Sequence, residues 1–264
     1  PSMYVGQYAE QDAESTYKLW QRLQTELYAQ ELTDIFKLET KLFPCLVDMR
    51  FKGVRVDIEK AHNIKAKLVA REKSILHNIK KLTNVDVEIW AAASIAKVFD
   101  YLKLPYDRTA KTNKPSFTKN FLANHPHEIA KDIASAREIN KAHTTFIETI
   151  LKHSHNDRIH ADINQIRSDD GGTVTGRFSM SNPNLQQIPA RHKDLGPLIR
   201  SIFIPEEGCK WGTFDYSQQE PRILVHYAKL QELPGVNEIV DAYRAGDADF
   251  HQVVADMAGI ERKQ

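Results

Sequence analysis

Trp211-Gly212-Thr213-Phe214-Asp215-Tyr216-Ser217-Gln218-Gln219-Glu220-Pro221-Arg222 is the stretch on which the reading of the fold turns. Its first half, Trp211 to Tyr216, reads as a strand, and from Gln219 a helical pattern takes over. An aspartate at that junction can present its carboxylate to a hard cation, and Mg²⁺ suits one or two carboxylates plus phosphates. Phosphoryl transfer between two ions uses such a carboxylate as the bridge. By itself, an Asp after a strand is most often a cap or a turn former.

Outward from this junction the pattern stays mixed. Upstream, Leu198 to Ile204 reads as a second strand, joined to the first by the turn Pro205-Glu206-Glu207-Gly208. Ile159, Ala161 and Ile163 alternate with polar residues at the strand period, and Asp169-Asp170-Gly171-Gly172 is a turn signal. What precedes reads mainly as helices. Residues 9–36 carry Tyr17, Trp20, Leu23 and Leu27 at apolar positions; a second segment runs from Leu38 to Phe51 and stops at Lys52-Gly53, where glycine suits a φ > 0 cap. Val54 and Val56 read as a short extended piece, and Asp57 as the N-cap of the next helix. That helix has a stripe of Ile64, Leu68, Ile75, Ile79 and Leu82. Its other face holds Lys60, Lys65, Lys67, Arg71, Lys73, Lys80 and Lys81, opposed by Glu59 and Glu72. One basic helix face is ordinarily a solvated face; in a nucleic-acid protein it tracks phosphates. Residues 94–103 form a short helix stopped by Pro105, Asp107 to Ser116 an exposed basic tip, and Glu128 to Lys152 a long helix. Downstream, the helical pattern from Gln219 breaks at Pro234-Gly235 and then runs on. Helices, then an antiparallel sheet, then more helices predict an α+β fold.

Composition narrows the class without deciding it. The chain has 264 residues, more than one average domain needs, and 41% hydrophobic residues, enough for a core. Lys plus Arg is 36 and Asp plus Glu is 35, so the net charge of +1 neither supports nor excludes a nucleic-acid partner. Cys45 and Cys209 lie far apart, which argues against a disulfide framework or a zinc site and fits a reducing, cytoplasmic compartment. No apolar run approaches a membrane span, and the start shows no signal-peptide pattern, so no membrane partner is expected. There is no internal repeat.

A second polar stretch changes the weight of the first. Thr175-Gly176-Arg177-Phe178-Ser179-Met180-Ser181-Asn182-Pro183-Asn184-Leu185-Gln186-Gln187-Ile188-Pro189 displays hydrogen-bonding side chains between Pro and Gly breaks. By composition it is a surface connector. Together with Asp215–Arg222 it resembles the two signatures, in order and at about the right separation, of family A DNA polymerases of the bacterial polymerase I and bacteriophage replicative type. The resemblance covers most of the chain. It implies a helical thumb, then an antiparallel palm sheet and the first fingers helices, divided as residues 1–37 (end of a 3′–5′ exonuclease domain), 38–157 (thumb and its base), 158–233 (first half of the palm) and 234–264 (start of the fingers).

The resemblance also implies roles. Asp215 is the expected catalytic metal ligand and the Tyr216 carbonyl a second ligand, with Mg²⁺ as cofactor. Glu220 resembles the steric gate against a ribose 2′-OH, whose rejection follows from an unmet hydrogen bond. Arg177 resembles the arginine that reaches the minor-groove edge of the primer-terminal pair, where acceptors are alike for all correct pairs. Ser179, Asn184, Gln186 and Arg191 fall at primer or template positions. Asp249-Phe250-His251 resembles the stretch whose His251 approaches the incoming triphosphate, and Arg262 the start of the fingers helix that grips it. Tyr8 and Asp12, one helical turn apart, resemble the element that closes a proofreading exonuclease site. Primer–template DNA and dNTP are the implied partners.

Two departures qualify the match. Pro221 stands where the family usually has Leu and Gln219 where it often has Ile, which points toward bacteriophage members. The fingers signature and the later segment bearing the second metal carboxylate are absent, so the expectation is a half-complete site. A second polypeptide or a C-terminal continuation would carry the rest, and a non-catalytic DNA-binding subunit of a split polymerase is the alternative. A metal-dependent nuclease would rest on Tyr8 and Asp12 alone.

Overall fold

A computed structural model of the chain describes residues 2–165, 173–190, 192–246 and 249–261. The chain divides into two compact units, Pro1–Cys209 and Lys210–Gln264. The fold is α+β, with small antiparallel sheets among many helices.

The first unit opens with α1 (Ser2–Ala29) and α2 (Thr33–Lys52). They part at residues 30–32, earlier than the break near residue 37 expected from the sequence. Glu31 adopts φ 57°, and the Leu32 N–H donates to the Leu27 carbonyl at 2.8 Å. This is a left-handed helix stop made without glycine or proline, so no residue type announced it. At the far end of α2, Gly53 has φ 66° and its N–H donates to the Met49 carbonyl at 2.9 Å, as the Lys52-Gly53 signal predicted.

After β1 (Val54–Arg55), Asp57 caps α3 (Ile58–Thr83) by accepting the Lys60 N–H at 2.8 Å. Of the predicted stripe, Ile64, Leu68 and Ile79 are buried and Ile75 partly so, whereas Leu82 is exposed in the last turn. Then come α4 (Ala92–Tyr101), a hairpin of β2 (Asp107–Arg108) and β3 (Pro115–Ser116), α5 (Lys119–Asn124) and α6 (Glu128–Lys141). The long helix expected over 128–152 is present, but it passes through a π-helical segment, Ala142–Ile147, before α7 (Glu148–His153). Two cores form along α3. One gathers Ile64 and Leu68 with Ile139, Ile147, Ile150, Ile159, Ile199 and Ile202; the other gathers Ile79 with Ile95, Phe99, Phe117, Leu122, Ile129 and Ile133. Each such side chain contributes about 1.5–3 kcal/mol by leaving water.

Glu72 does not oppose the basic face of α3. It is buried, with Oε2 2.5 Å from Nε2 of His143 in the π-helical segment and Oε1 accepting from Asn140 Nδ2 at 2.9 Å. Asn140 Oδ1 accepts in turn from the Trp90 indole at 2.9 Å. A buried carboxylate needs such partners, and they lie in elements far along the chain.

The short strands follow: β4 (Ser154–His155), β5 (Arg158–Ile159), β6 (Asp162–Asn164) and β7 (Ser179–Ser181). β5 lies between β1 and β4, and β6 pairs β7 with Ile163 opposite Met180. The alternation at Ile159–Ile163 is therefore split between two sheets. The turn signal at Asp169–Gly172 lies outside the described residues.

Neither of two further predicted strands forms as a strand, although Phe203, near the end of the first, makes an isolated antiparallel bridge with Val56. Leu198–Ile204 begins inside a helix, α8 (Leu195–Arg200), and Leu195, Ile199 and Ile202 are buried at helical spacing. The β-branched residues there follow a 3.6 period, and packing against the core overrides their strand preference. Trp211–Tyr216 forms no ladder with any described segment, and Trp211, Phe214 and Tyr216 are exposed. A strand exists only through a partner's backbone groups, so β propensity alone leaves this segment irregular. The turn between them does form, with Gly208 at φ 73° and the Cys209 N–H donating to the Glu206 carbonyl at 2.9 Å.

The second unit consists of this extended segment and three helices, α9 (Gln219–Leu230), α10 (Val236–Ala245) and α11 (Phe250–Ala258). The predicted break at Pro234-Gly235 is observed, with Gly235 at φ 75°. No described helix is long and apolar enough to cross a membrane.

Candidate functional site

In the second unit, residues 211–216 lead into a sharp elbow at Ser217–Gln218, where Gln218 adopts φ 55°, ψ 41° before α9 begins. Asp215 is exposed just before the elbow, and Glu220 is exposed in the first turn of α9. Arg222 braces the elbow from within α9: its Nε donates to the Ser217 carbonyl at 2.9 Å. Its guanidinium lies 4.7 Å from the centre of the Tyr243 ring in α10. His251 is exposed in the first turn of α11, whose N-cap Asp249 accepts the Gln252 N–H at 3.2 Å.

The donor set fits Mg²⁺ in part. Asp215 and the Tyr216 carbonyl are hard oxygens, and Mg²⁺ keeps waters and phosphates as its remaining ligands. Among the described residues no three His, Cys, Asp or Glu side chains gather into a metal site. Cys45 and Cys209 are both free and exposed.

In the first unit, the predicted DNA-contacting loop is anchored at its base and exposed along its length. β7 carries Ser179, half-buried, opposite Asn164 of β6. Asn182 Nδ2 donates to Asp162 Oδ2 at 2.9 Å, and Asp162 is paired with Arg50 of α2 at 2.7 Å. Asn184 caps the 3₁₀ turn Leu185–Gln187 by accepting the Gln186 N–H at 3.0 Å, and Gln186 Nε2 donates to the Phe178 carbonyl at 3.0 Å. Asn184 and Gln186 therefore hold the loop's shape as well as offering polar surface. Arg177 is exposed. A cavity of about 250 Å³ separates this loop from the π-helical segment and α7, with Thr145, Thr149, His153, Asn182, Asn184 and Gln187 on its polar rim.

Arg191 and Arg262 lie outside the described residues. Tyr8 and Asp12 are exposed on α1, one turn apart. On α3, Lys67, Arg71, Lys73, Lys80 and Lys81 are exposed, while Lys60 and Lys65 are half-buried. Lys65 is paired with Glu148 and Lys80 with Asp86, which removes two charges from the free basic face.

The model of DNA polymerase family A matches residues 58–263. The chain belongs to DNA polymerase family A. Among its relatives, a DNA-directed DNA polymerase of Pseudomonas phage M6 is 36% identical across 100% of this chain and 42% of its own length. DNA polymerase DpoZ of Acinetobacter phage SH-Ab 15497 is 34% identical across 99% of this chain and 44% of its own. DNA polymerase I of Chloroflexus aurantiacus is 30% identical across 99% and 28%. The chain thus spans less than half the length of these curated relatives. In fold it resembles the POL domain of Pol1 from M. smegmatis, solved in complex with DNA primer-template and dNTP. The TM-score is 0.65 at 24% identity, over 84% of this chain and 38% of that one. The phage relatives agree with the direction in which Gln219 and Pro221 pointed.

Motif reading missed the residues that brace the elbow. Gln218 lay inside the quoted motif but carried no assigned role, and Tyr243 gave no signal at all. A glutamine at the turn before a helix, where glycine or asparagine is the easier choice, was the available hint.

Proposed function

We propose that this chain is the thumb, first palm half and fingers base of a template-directed DNA polymerase. In the reaction, the primer O3′ attacks the α-phosphorus of a dNTP. An O–P bond forms, the α–β phosphoanhydride bond breaks and pyrophosphate leaves. Asp215 and the Tyr216 carbonyl would hold Mg²⁺, which when bound supplies charge stabilisation for the phosphoryl oxygens. Glu220 packs against C2′ of the incoming sugar and excludes a ribose. His251 and Arg262 meet the triphosphate. Arg177 senses the minor-groove edge of the terminal pair, while Ser179, Asn184, Gln186 and Arg191 position primer and template. The basic face of α3 tracks the duplex phosphates. The second catalytic carboxylate and the rest of the fingers come from another segment or a second polypeptide.

The observation that carries this reading is that the family match runs through both motif stretches while the structure leaves Asp215, Glu220, Arg177 and Gln186 exposed to a ligand. Binding of a labelled primer–template duplex to the purified chain tests it. Between about 50 and 200 mM salt, affinity is expected to fall roughly ten- to a hundredfold, from counterion release at a few phosphates. Arg177→Ala combined with Gln186→Ala should weaken binding further. Affinity independent of salt would remove DNA as the ligand. The chain alone should not extend the primer, and extension lost on Asp215→Ala would show instead that its site is complete.

A further inference from the structure

We infer that Gln218 is a positioning residue: one side-chain oxygen fixes the Asp215–Glu220 elbow to the helix that carries His251. The consequence for nucleotide binding rests on the polymerase reading above; the clamp itself rests on geometry within the second unit.

The backbone at Gln218 sits in the left-handed region, φ 55°, ψ 41°, which a side chain other than Asn or Asp seldom adopts. Glycine would meet that demand without steric cost. What glycine lacks is the amide. Oε1 of Gln218 accepts from the Tyr243 hydroxyl at 3.2 Å and from the Phe250 N–H at 3.0 Å. A backbone N–H can only donate, so the Gln218 atom facing Phe250 is the oxygen, and the amide orientation follows. Phe250 is the first residue of α11, and its N–H belongs to the set of helix-start donors that have no partner within the helix. Asp249 serves the Gln252 N–H locally. The helix is therefore capped twice, once by its own N-cap and once by the elbow.

His251 follows Phe250 directly, and Asp215 lies three residues before Gln218. A bound nucleotide would meet Glu220 near its sugar and His251 near its phosphates. The spacing between those contacts is held through Gln218. Arg222 of α9 grips the Ser217 carbonyl and lies against the ring of Tyr243, whose hydroxyl meets Gln218, so α9 and α10 between them hold both elbow residues.

Three variants of the full chain test this. Gln218→Met keeps length and removes the acceptor, Gln218→Glu keeps the acceptor, and Tyr243→Phe removes one donor while leaving the Phe250 contact. Amide exchange at Phe250, read by NMR, should be about tenfold faster in Gln218→Met, and close to parental in Gln218→Glu and Tyr243→Phe. Helix content by circular dichroism should be the same in all of them. Affinity for dNTP with Mg²⁺ should fall about tenfold in Gln218→Met and return in Gln218→Glu. Unchanged Phe250 exchange in Gln218→Met overturns the clamp, as does a Gln218→Glu chain as loose as the Met variant. Failure of the parental chain to bind any dNTP would count against the polymerase reading, and Phe250 exchange would then decide the clamp alone.

Discussion

Gly53 shows how much one position can demand. Its φ of 66° with ψ of −178° belongs to a region that only glycine occupies freely. A Cβ there would lie 2.7 Å from Nδ1 of His160 and 2.8 Å from the Ile159 carbonyl. That His160 nitrogen also bonds the Arg50 carbonyl at 2.8 Å, so the ring cannot retreat without releasing the end of α2. Gly53→Ala is expected to destabilise the chain by about 2–4 kcal/mol, through backbone strain and the clash together. Urea unfolding followed by circular dichroism would show it as a lower midpoint with the slope kept; a change under about 0.5 kcal/mol would refute the account. The glycine itself was legible, because Lys52-Gly53 ends a helical pattern. The reason no other residue fits was not, since His160 arrives from another part of the chain. Asp215, Arg177 and Gln218 divide the same way. Their residue types and order were readable, but the bonds that Gln218 makes to Tyr243 and Phe250 follow no period and leave no mark in the sequence.

Elements were readable where their period was long. α3 and its Asp57 cap, the tip between α4 and α5, and the breaks at Gly53 and Gly235 all stand where periodicity and punctuation put them. Two- and three-residue strands carry no period of their own, which is why alternation at 159–163 gave one strand where two sheets share it. Such short elements are held largely by side chains. Arg158 of β5 donates to Glu206 at 2.7 Å and to the Lys52 carbonyl at 3.2 Å, joining the strand to the turn after α8 and to the end of α2. The bond from Arg158 holds the Glu206 carboxyl below its ordinary 4.5, its burial opposing and the charges of Arg158, Lys52 and Arg55 assisting. A carboxylate lowered in the folded state contributes stability above its unfolded pKa and loses it as pH falls through the folded value. Glu206→Gln keeps an acceptor and removes only the charge. The parental chain should therefore melt higher than Glu206→Gln at neutral pH, and the gap should shrink as pH falls below the ordinary carboxyl range and through the lowered folded value of Glu206. A gap that persists in acid would assign the difference to packing instead of charge.

At the scale of the molecule the two units differ in how much they bury. The first has two apolar clusters that share α3. The second buries, among its described residues, only Val225, Val236 and Ala255 as hydrophobic core, while Ile223, Leu224, Tyr227, Leu230, Leu233, Ile239, Val253, Val254 and Ile260 stay exposed. Full burial of a valine contributes about 1.5 kcal/mol, whereas ordering each backbone residue costs about 1–2 kcal/mol. Three small buried side chains cannot offset the ordering of three helices by much, so hydrogen bonds such as those at Gln218 carry an unusual share of the unit's order. Hydrophobic patterning alone did not reveal this, because α9 and α10 have apolar faces as regular as those of well-buried helices. The unequal burial predicts unequal opening. In native-state hydrogen exchange of the whole chain, amides of α9, α10 and α11 should exchange at least about a hundredfold faster than those of α3 and α6, and should lose protection first as denaturant is added. The extended stretch 211–216, which pairs with no described backbone, should exchange fastest of the three regions. Equal protection in α3 and α9 would mean that the second unit draws its stability from something other than the apolar surface it buries within itself.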